Sequence, residues 1–290
     1  MKLGITYTHT ENCLSSLKKL ASLGVEAIDL NLMDTSTVFY SPNTKAASER
    51  IAEIRTAAKS SGIFISQTHG PWTWPPDMDF TAENRIIRLS QMRRAVEITA
   101  ELGCESCVIH PIMPFGVEDL LCGKEKETLE LNLWFFGELA KTAEKNRVTV
   151  CIENMPMPNF SVASPEKILC LIDAVASPNI AACLDTGHVT MHEGLTAAGS
   201  ARLLGSKLRV LHVHDNDGRS DFHWFPQSGV TDWSAFASAL CEIGFDGAFS
   251  LETLPNANLP PEEYDKTLEK LIGIAKDIIA LRLPLEGKLD

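Results

Sequence analysis

Short apolar runs alternate with longer amphipathic stretches from one end of the chain to the other. The runs at 3–7, 27–32, 63–67, 106–109, 148–152, 180–184, 208–213 and 248–251 predict eight strands. Most are apolar throughout, the pattern of parallel strands covered on both faces. Between them apolar positions recur at three- and four-residue steps. The clearest case is Tyr264, Leu268, Leu271, Ile272, Ala275, Ile278 and Ile279, a helix introduced by Pro260 and Pro261. Segments 83–102 and 126–145 predict two more long helices with charged outer faces. Eight strand-then-helix units in 290 residues predict an α/β fold, a single (β/α)8 TIM barrel occupying 1–290 as one domain. An open doubly wound sheet also alternates strand and helix. It is disfavoured because Thr8-His9-Thr10-Glu11, not a glycine-rich phosphate loop, follows the first strand.

What stands at the strand ends gives the pattern its chemistry. The third run ends in Thr68-His69-Gly70-Pro71-Trp72, the fourth in Ile109-His110-Pro111, and the fifth in Ile152-Glu153-Asn154-Met155-Pro156. The sixth ends in Leu184-Asp185-Thr186-Gly187-His188 and the eighth in Ser250-Leu251-Glu252-Thr253. The seventh gives Leu211-His212-Val213-His214-Asp215, followed by Asp221-Phe222-His223. In a parallel barrel these side chains converge on one mouth. Any one of them reads equally well as a helix cap or a hydrogen-bonded structural histidine. A ring of them does not, because gathered carboxylates in a low-dielectric mouth need a cation among them. Mixed carboxylate and imidazole donors suit Mn2+, Co2+, Zn2+ or Fe2+ better than calcium. The expected ligands are Glu153, Asp185, His214 and Glu252, from four consecutive strands. His212 shares a face with His214, lies one layer deeper, and is expected to support it.

Composition narrows the partners. With 26 basic and 38 acidic residues the net charge is −12, a field that repels a phosphate backbone, so nucleic acid is not expected. No apolar segment approaches the roughly 18 residues of a membrane span, and no signal-peptide pattern opens the chain; a cytoplasmic protein is expected. The eight cysteines then read as small buried hydrophobes rather than a disulfide framework. The lone Cys104-x-x-Cys107 pair has no second pair to make a zinc site.

The ordered set H-G-P, I-H-P, I-E-N-M-P, L-D-T-G-H, H-V-H-D-N-D-G, D-F-H and L-E-T resembles the xylose isomerase-like TIM-barrel superfamily. That group includes sugar isomerases and epimerases, inositol catabolic enzymes and endonuclease IV. The resemblance implies a metal site at Glu153, Asp185, His214 and Glu252, with Glu153 and Glu252 doubling as the acid/base pair. It places His188 and Arg219 on the substrate, and His69, His110, Asp221 and His223 as ligands of further ions, a role His188 can share. Trp72, Trp74 and Trp224 are candidate walls for a sugar face. The implied activity is metal-dependent isomerisation or epimerisation of a sugar, sugar phosphate or polyol by enediolate-type proton transfer. The alternative is hydrolysis of abasic DNA in the manner of endonuclease IV. Relatives are often dimers or tetramers, so the resemblance allows a homo-oligomer. One departure stands out: ketose 3-epimerases carry a second glutamate shortly after the strand-five one, whereas Asn154 to Phe160 here contain no acid.

Overall fold

The predicted alternation is the observed one. In the computed structural model, which describes residues 1–41, 44–72 and 80–281, β1 (Lys2–Tyr7) leads to α1 (Cys13–Ser22), and β2 (Ala27–Asn31) to α2 (Thr44–Ser61). Next, β3 (Phe64–His69) leads to α3 (Ala82–Glu101), and β4 (Ser106–Ile109) to α4 (Glu125–Asn146). Then come β5 (Thr149–Glu153), α5 (Pro165–Val175), β6 (Ile180–Asp185), α6 (Thr186–Thr190) and α7 (Ala197–Leu204). The described residues finish with β7 (Leu208–His212), α8 (Trp233–Glu242), β8 (Ala248–Leu251) and α9 (Pro261–Ala280).

The strands pair in parallel in the order β7-β6-β5-β4-β3-β2-β1-β8. The remaining edge is joined just beyond β7, where Val213 bridges Leu251. There the Val213 N–H donates to the Ser250 carbonyl at 2.8 Å and the Glu252 N–H to the Val213 carbonyl at 3.0 Å. Neighbours in sequence are neighbours in space all the way round, so the fold is a (β/α)8 barrel and not an open sheet whose order reverses. The main core lies between strands and helices, where Phe135, Phe136, Phe236 and Phe249 are fully buried. Inside the barrel Val108, Cys151, Cys183 and Val210 form a separate layer of small side chains.

The strand ends differ from the expected ones in an informative way. Glu153, Asp185 and His69 belong to their strands, paired across the ladder with Cys183, His212 and Asn31 respectively. A polar side chain does not stop backbone pairing, so the apolar run is shorter than the strand. These three groups are therefore held by the sheet and not by loops. Two register shifts interrupt the ladders, between Ile28 and Asp29 on β2 and between Ala182 and Cys183 on β6. All eight cysteines are free thiols; Cys13, Cys104, Cys107, Cys151 and Cys183 are buried as expected, whereas Cys122, Cys170 and Cys241 are exposed. Among the described residues no helix is long and apolar enough to cross a membrane.

Candidate active site

The C-terminal ends of the strands gather the titratable side chains. Glu153, Asp185, His212 and His214 have no exposed surface, and His69, His110 and His188 are nearly as buried. Asp185 does two things at once: Oδ1 caps α6 by accepting the His188 N–H at 2.7 Å, while Oδ2 lies 3.0 Å from His214 Nε2. Asn154 ties the neighbouring strand ends together, its Oδ1 accepting from Asp185 N–H at 2.8 Å and its Nδ2 donating to the Asp185 carbonyl at 3.1 Å. Thr186 Oγ1 accepts from the His214 N–H at 3.1 Å, and Gly187 lets the ring of His214 lie directly on the backbone. A Cβ at Gly187 would stand 2.1 Å from His214 Cε1.

Four groups of side chains have ligand atoms within 4.8 Å of one another: His69, Glu153, His212 and Glu252; Asp185, His214 and Glu252; Glu153, Asp185 and His188; and His188, His214, Asp221 and His223. The four expected ligands are spread over overlapping groups: Asp185, His214 and Glu252 share one, and Glu153 shares others with Asp185 and with Glu252. Glu153 reaches Glu252 through His212, whose Nδ1 lies 2.9 Å from Glu153 Oε1 and 3.2 Å from Glu252 Oε2. His214 reaches Asp185 and Glu252, and its ring stacks on His223 at 3.9 Å. His110 Nε2 is 3.0 Å from Glu153 Oε2. Trp72 is half exposed and lies against His110, with ring centroids 4.8 Å apart. Trp224 is exposed and stacked on Phe222 at 5.0 Å. Arg219 is exposed on the loop after β7, where its backbone N–H donates to Asp217. Trp74 lies outside the described residues.

The hydrogen bonds behind the ring fix its electronics. His69, His188 and His223 each donate Nδ1–H to a backbone carbonyl, of Gly70 (2.8 Å), Asn154 (2.8 Å) and Glu252 (2.7 Å). A carbonyl only accepts, so in the neutral ring Nε2 is a bare lone pair. Those lone pairs face carboxylate oxygens: Glu153 Oε2 at 3.4 Å from His69, and Asp221 Oδ2 at 3.2 Å from His188 and 3.4 Å from His223. Acceptor facing acceptor is repulsive unless a positive charge lies between. His110 Nδ1 and His214 Nδ1 are buried atoms with no hydrogen-bond partner, which adds to the same deficit.

With protons as the only cations, the ring draws them in. Burial alone would lower the His188 imidazolium, but Asp185, Asp221 and Glu153 push it up to about 10. His223, against burial, is pushed up to about 9 by Asp221 and Glu252. The two glutamates are driven apart. Burial raises both, but His212 and His110 hold the Glu153 carboxyl well below its ordinary range. Glu252 is pushed up to about 7, against the pull of His212.

One participant lies in mid-strand, away from the strand-end motifs. Asp29, on β2 and almost wholly buried, accepts from His212 Nε2 at 2.9 Å and from Gln67 Nε2 at 3.1 Å. The available signal was a lone acid inside the buried run Ala27-Ile28-Asp29-Leu30, since a carboxylate there needs a partner. Cavities open at both ends of the barrel. One of about 440 Å3 opens at the mouth beside His223, Trp224, Phe225, Thr253 and Leu254. Another, of about 610 Å3, opens at the opposite end of the barrel among Lys2, Phe64, Ser106, Arg209 and Asp246. None of the residues lining that second cavity belongs to a converging ligand group among the described residues, so the chemistry is assigned to the mouth.

Comparison with known proteins identifies the family of the fold. A family model described as xylose isomerase-like TIM barrel matches residues 17–273. The chain is similar to a D-psicose 3-epimerase of Ruminiclostridium cellulolyticum, 23% identical over 262 residues, 87% of this chain and 83% of that protein. It is similar to an inosose isomerase of Bacillus velezensis, 29% identical over 199 residues, covering 65% of this chain and 66% of the relative. A solved D-psicose 3-epimerase, crystallised in the presence of D-fructose, superposes with a TM-score of 0.75 at 17% identity, covering 96% of this chain and 99% of the other.

Proposed function

The chain belongs to the xylose isomerase-like TIM-barrel family, and within it we propose that this protein is a metal-dependent isomerase or epimerase of a sugar or polyol. The observation that carries the proposal is the convergence of acceptors: imidazole lone pairs, fixed from behind by carbonyls, point at carboxylate oxygens. That donor set fits a divalent transition ion. Glu153, Asp185 and Glu252 with an imidazole of the His212–His214 pair would hold it; His69 and His110 beside Glu153, and His188 and His223 beside Asp221, offer places for further ions. When bound, such an ion supplies positive charge that polarises a substrate carbonyl and acidifies the adjacent C–H.

The chain's own groups then divide the proton work. Glu153, held ionised by His212 and His110, takes the proton from carbon. Glu252, directly after β8, is placed to give a proton to the opposite side. Two carboxyls on different strands around a bound substrate are the arrangement that proton removal and return require. The two strands that carry them, β5 and β8, lie on either side of the mouth. His188 and Arg219 are placed to bind hydroxyl or carbonyl oxygens, and Trp72 to pack on a sugar C–H face. The epimerase and inosose isomerase relatives support carbohydrate as the substrate class.

Multiple imidazole–carboxylate groups also suit a multi-ion phosphodiester hydrolase, the second reading. The net charge of −12 opposes a DNA substrate. Turnover on a panel of ketoses, aldoses and inososes with Mn2+ or Co2+, beside cleavage of an abasic oligonucleotide, tests both. The expected result is sugar turnover that EDTA abolishes, with no strand cleavage. Glu153→Gln and Glu252→Gln should each lower kcat by about 100-fold or more while the folded chain is retained. Activity surviving exhaustive chelation would overturn the metal role.

A further inference from the structure

His212 is the one imidazole of the ring whose outer nitrogen meets a carboxylate instead of a backbone carbonyl. Its Nε2 lies 2.9 Å from Asp29 Oδ2, and its Nδ1 faces Glu153 Oε1 at 2.9 Å and Glu252 Oε2 at 3.2 Å. The roles follow from a chain of hydrogen bonds that begins at the Leu211 carbonyl. That carbonyl accepts from Gln67 Nε2 at 3.2 Å, which fixes the amide nitrogen on this side. The same NH2 group donates to Asp29 Oδ2 at 3.1 Å. Asp29 Oδ2 is therefore an acceptor, and the proton in its contact with His212 sits on Nε2. His212 Nδ1 is then the nitrogen that faces the space bounded by Glu153 Oε1 and Glu252 Oε2, where a bound ion would take the place of its proton.

The backbone is shaped for this contact. A register shift makes Ile28 pair with Ile65 but Asp29 with Gln67, so Ser66 is extra on β3. Such a bulge re-aims side chains, and here it sets Asp29 and Gln67 opposite each other inside the barrel. His214 has no such support: its Nε2 meets Asp185, and its buried Nδ1 has no partner.

From these contacts we infer that Asp29, held by Gln67, is a positioning residue that fixes the orientation and tautomer of His212, so that His212 Nδ1 is the strand-seven donor to a divalent ion. The inference rests on the metal part of the functional reading. A carboxylate behind a ligating histidine raises its basicity, and losing one commonly costs 10–100-fold in metal affinity.

Two measurements test it without reference to turnover. In Zn2+-loaded wild-type protein, histidine-selective 15N–1H NMR should show His212 protonated on Nε2 and bare on Nδ1. In Asp29→Asn, the dissociation constant for Mn2+ should rise about 10–100-fold while the melting temperature of the metal-free protein stays within a few degrees. A proton found on Nδ1 overturns the inference, as does an Asp29→Asn affinity within twofold of wild type. If the variant does not fold, the wild-type tautomer alone decides. A wild-type chain that binds no divalent ion overturns both this inference and the metal reading; wild-type binding with an unaffected variant overturns only the role of Asp29.

Discussion

Each imidazole at the mouth has two nitrogens with different tasks, and that asymmetry has measurable consequences. His188 and His223 sit at about 10 and about 9, above the ordinary 6.5, and Glu252 at about 7, above 4.5. Groups raised on folding contribute stability that is fully present below the unfolded value and lost as pH rises through the folded one. Asp185 and Asp221 are lowered, the former by His188 and His214 and the latter by His188 and His223, both against burial; their contribution is lost only as pH falls below the ordinary carboxylate range. The metal-free protein should therefore be most stable at mildly acidic pH and lose melting temperature progressively between about pH 5 and 10. Ion and proton compete for the same lone pairs, so Mn2+ affinity should rise over that interval; calorimetry in EDTA, beside Mn2+ titrations at several pH values, reads both. At Gly187 the expectation is steric. An alanine Cβ would collide with the ring of His214, so Gly187→Ala should cost about 1–3 kcal/mol and displace that imidazole, seen as a shifted His214 resonance.

The segment between β7 and α8 carries three of the four members of the outer ligand group, His214, Asp221 and His223, and one buried carboxylate organises it. Asp215 accepts from Asn216 N–H at 3.1 Å, Gly229 N–H at 3.0 Å, Thr231 N–H at 3.2 Å and Trp233 Nε1 at 3.0 Å. Its backbone also pairs with Trp224 in both directions, at 2.9 and 2.7 Å, which sets His223 one residue before that bridge. Asp215→Ala should cost about 3 kcal/mol and open segment 213–232 to limited proteolysis, with Asp221 and His223 no longer held. The same logic explains why the sheet-borne ligands need no such device. Glu153 and Asp185 are fixed by their own ladders, while α6 begins on the Asp185 carboxylate.

Closure of the barrel turns eight separate strand ends into one site. Sequence neighbours β5 to β7 bring Glu153, Asp185 and the strand-seven histidines together, but Glu252, far away in sequence, joins them because the Val213–Leu251 bridge closes the seam. An ion bound across that seam links elements distant in sequence and stabilises the native state alone. At about 100 times its dissociation constant it should add about 2.7 kcal/mol, seen as a melting temperature several degrees higher in Mn2+ than in EDTA. The charge of −12 works in the same direction, favouring cations and disfavouring phosphate backbones.

Periodicity and strand-end chemistry were sufficient for the barrel and for the residues around its mouth, because a parallel βα repeat puts every strand's last residues on one face. His69, His110, Glu153, Asp185, His188, Asp221, His223 and Glu252 were legible for that reason. Which nitrogen is free, which carboxylate it meets, and whether His212 or His214 faces Glu153 depend on ring positions that no spacing encodes. Asp29 carries only the signal of a lone acid in an apolar run, which names no partner. It sits in mid-strand, and only a bulge and the curvature of the closed sheet carry its carboxylate across the barrel to a histidine 183 positions away.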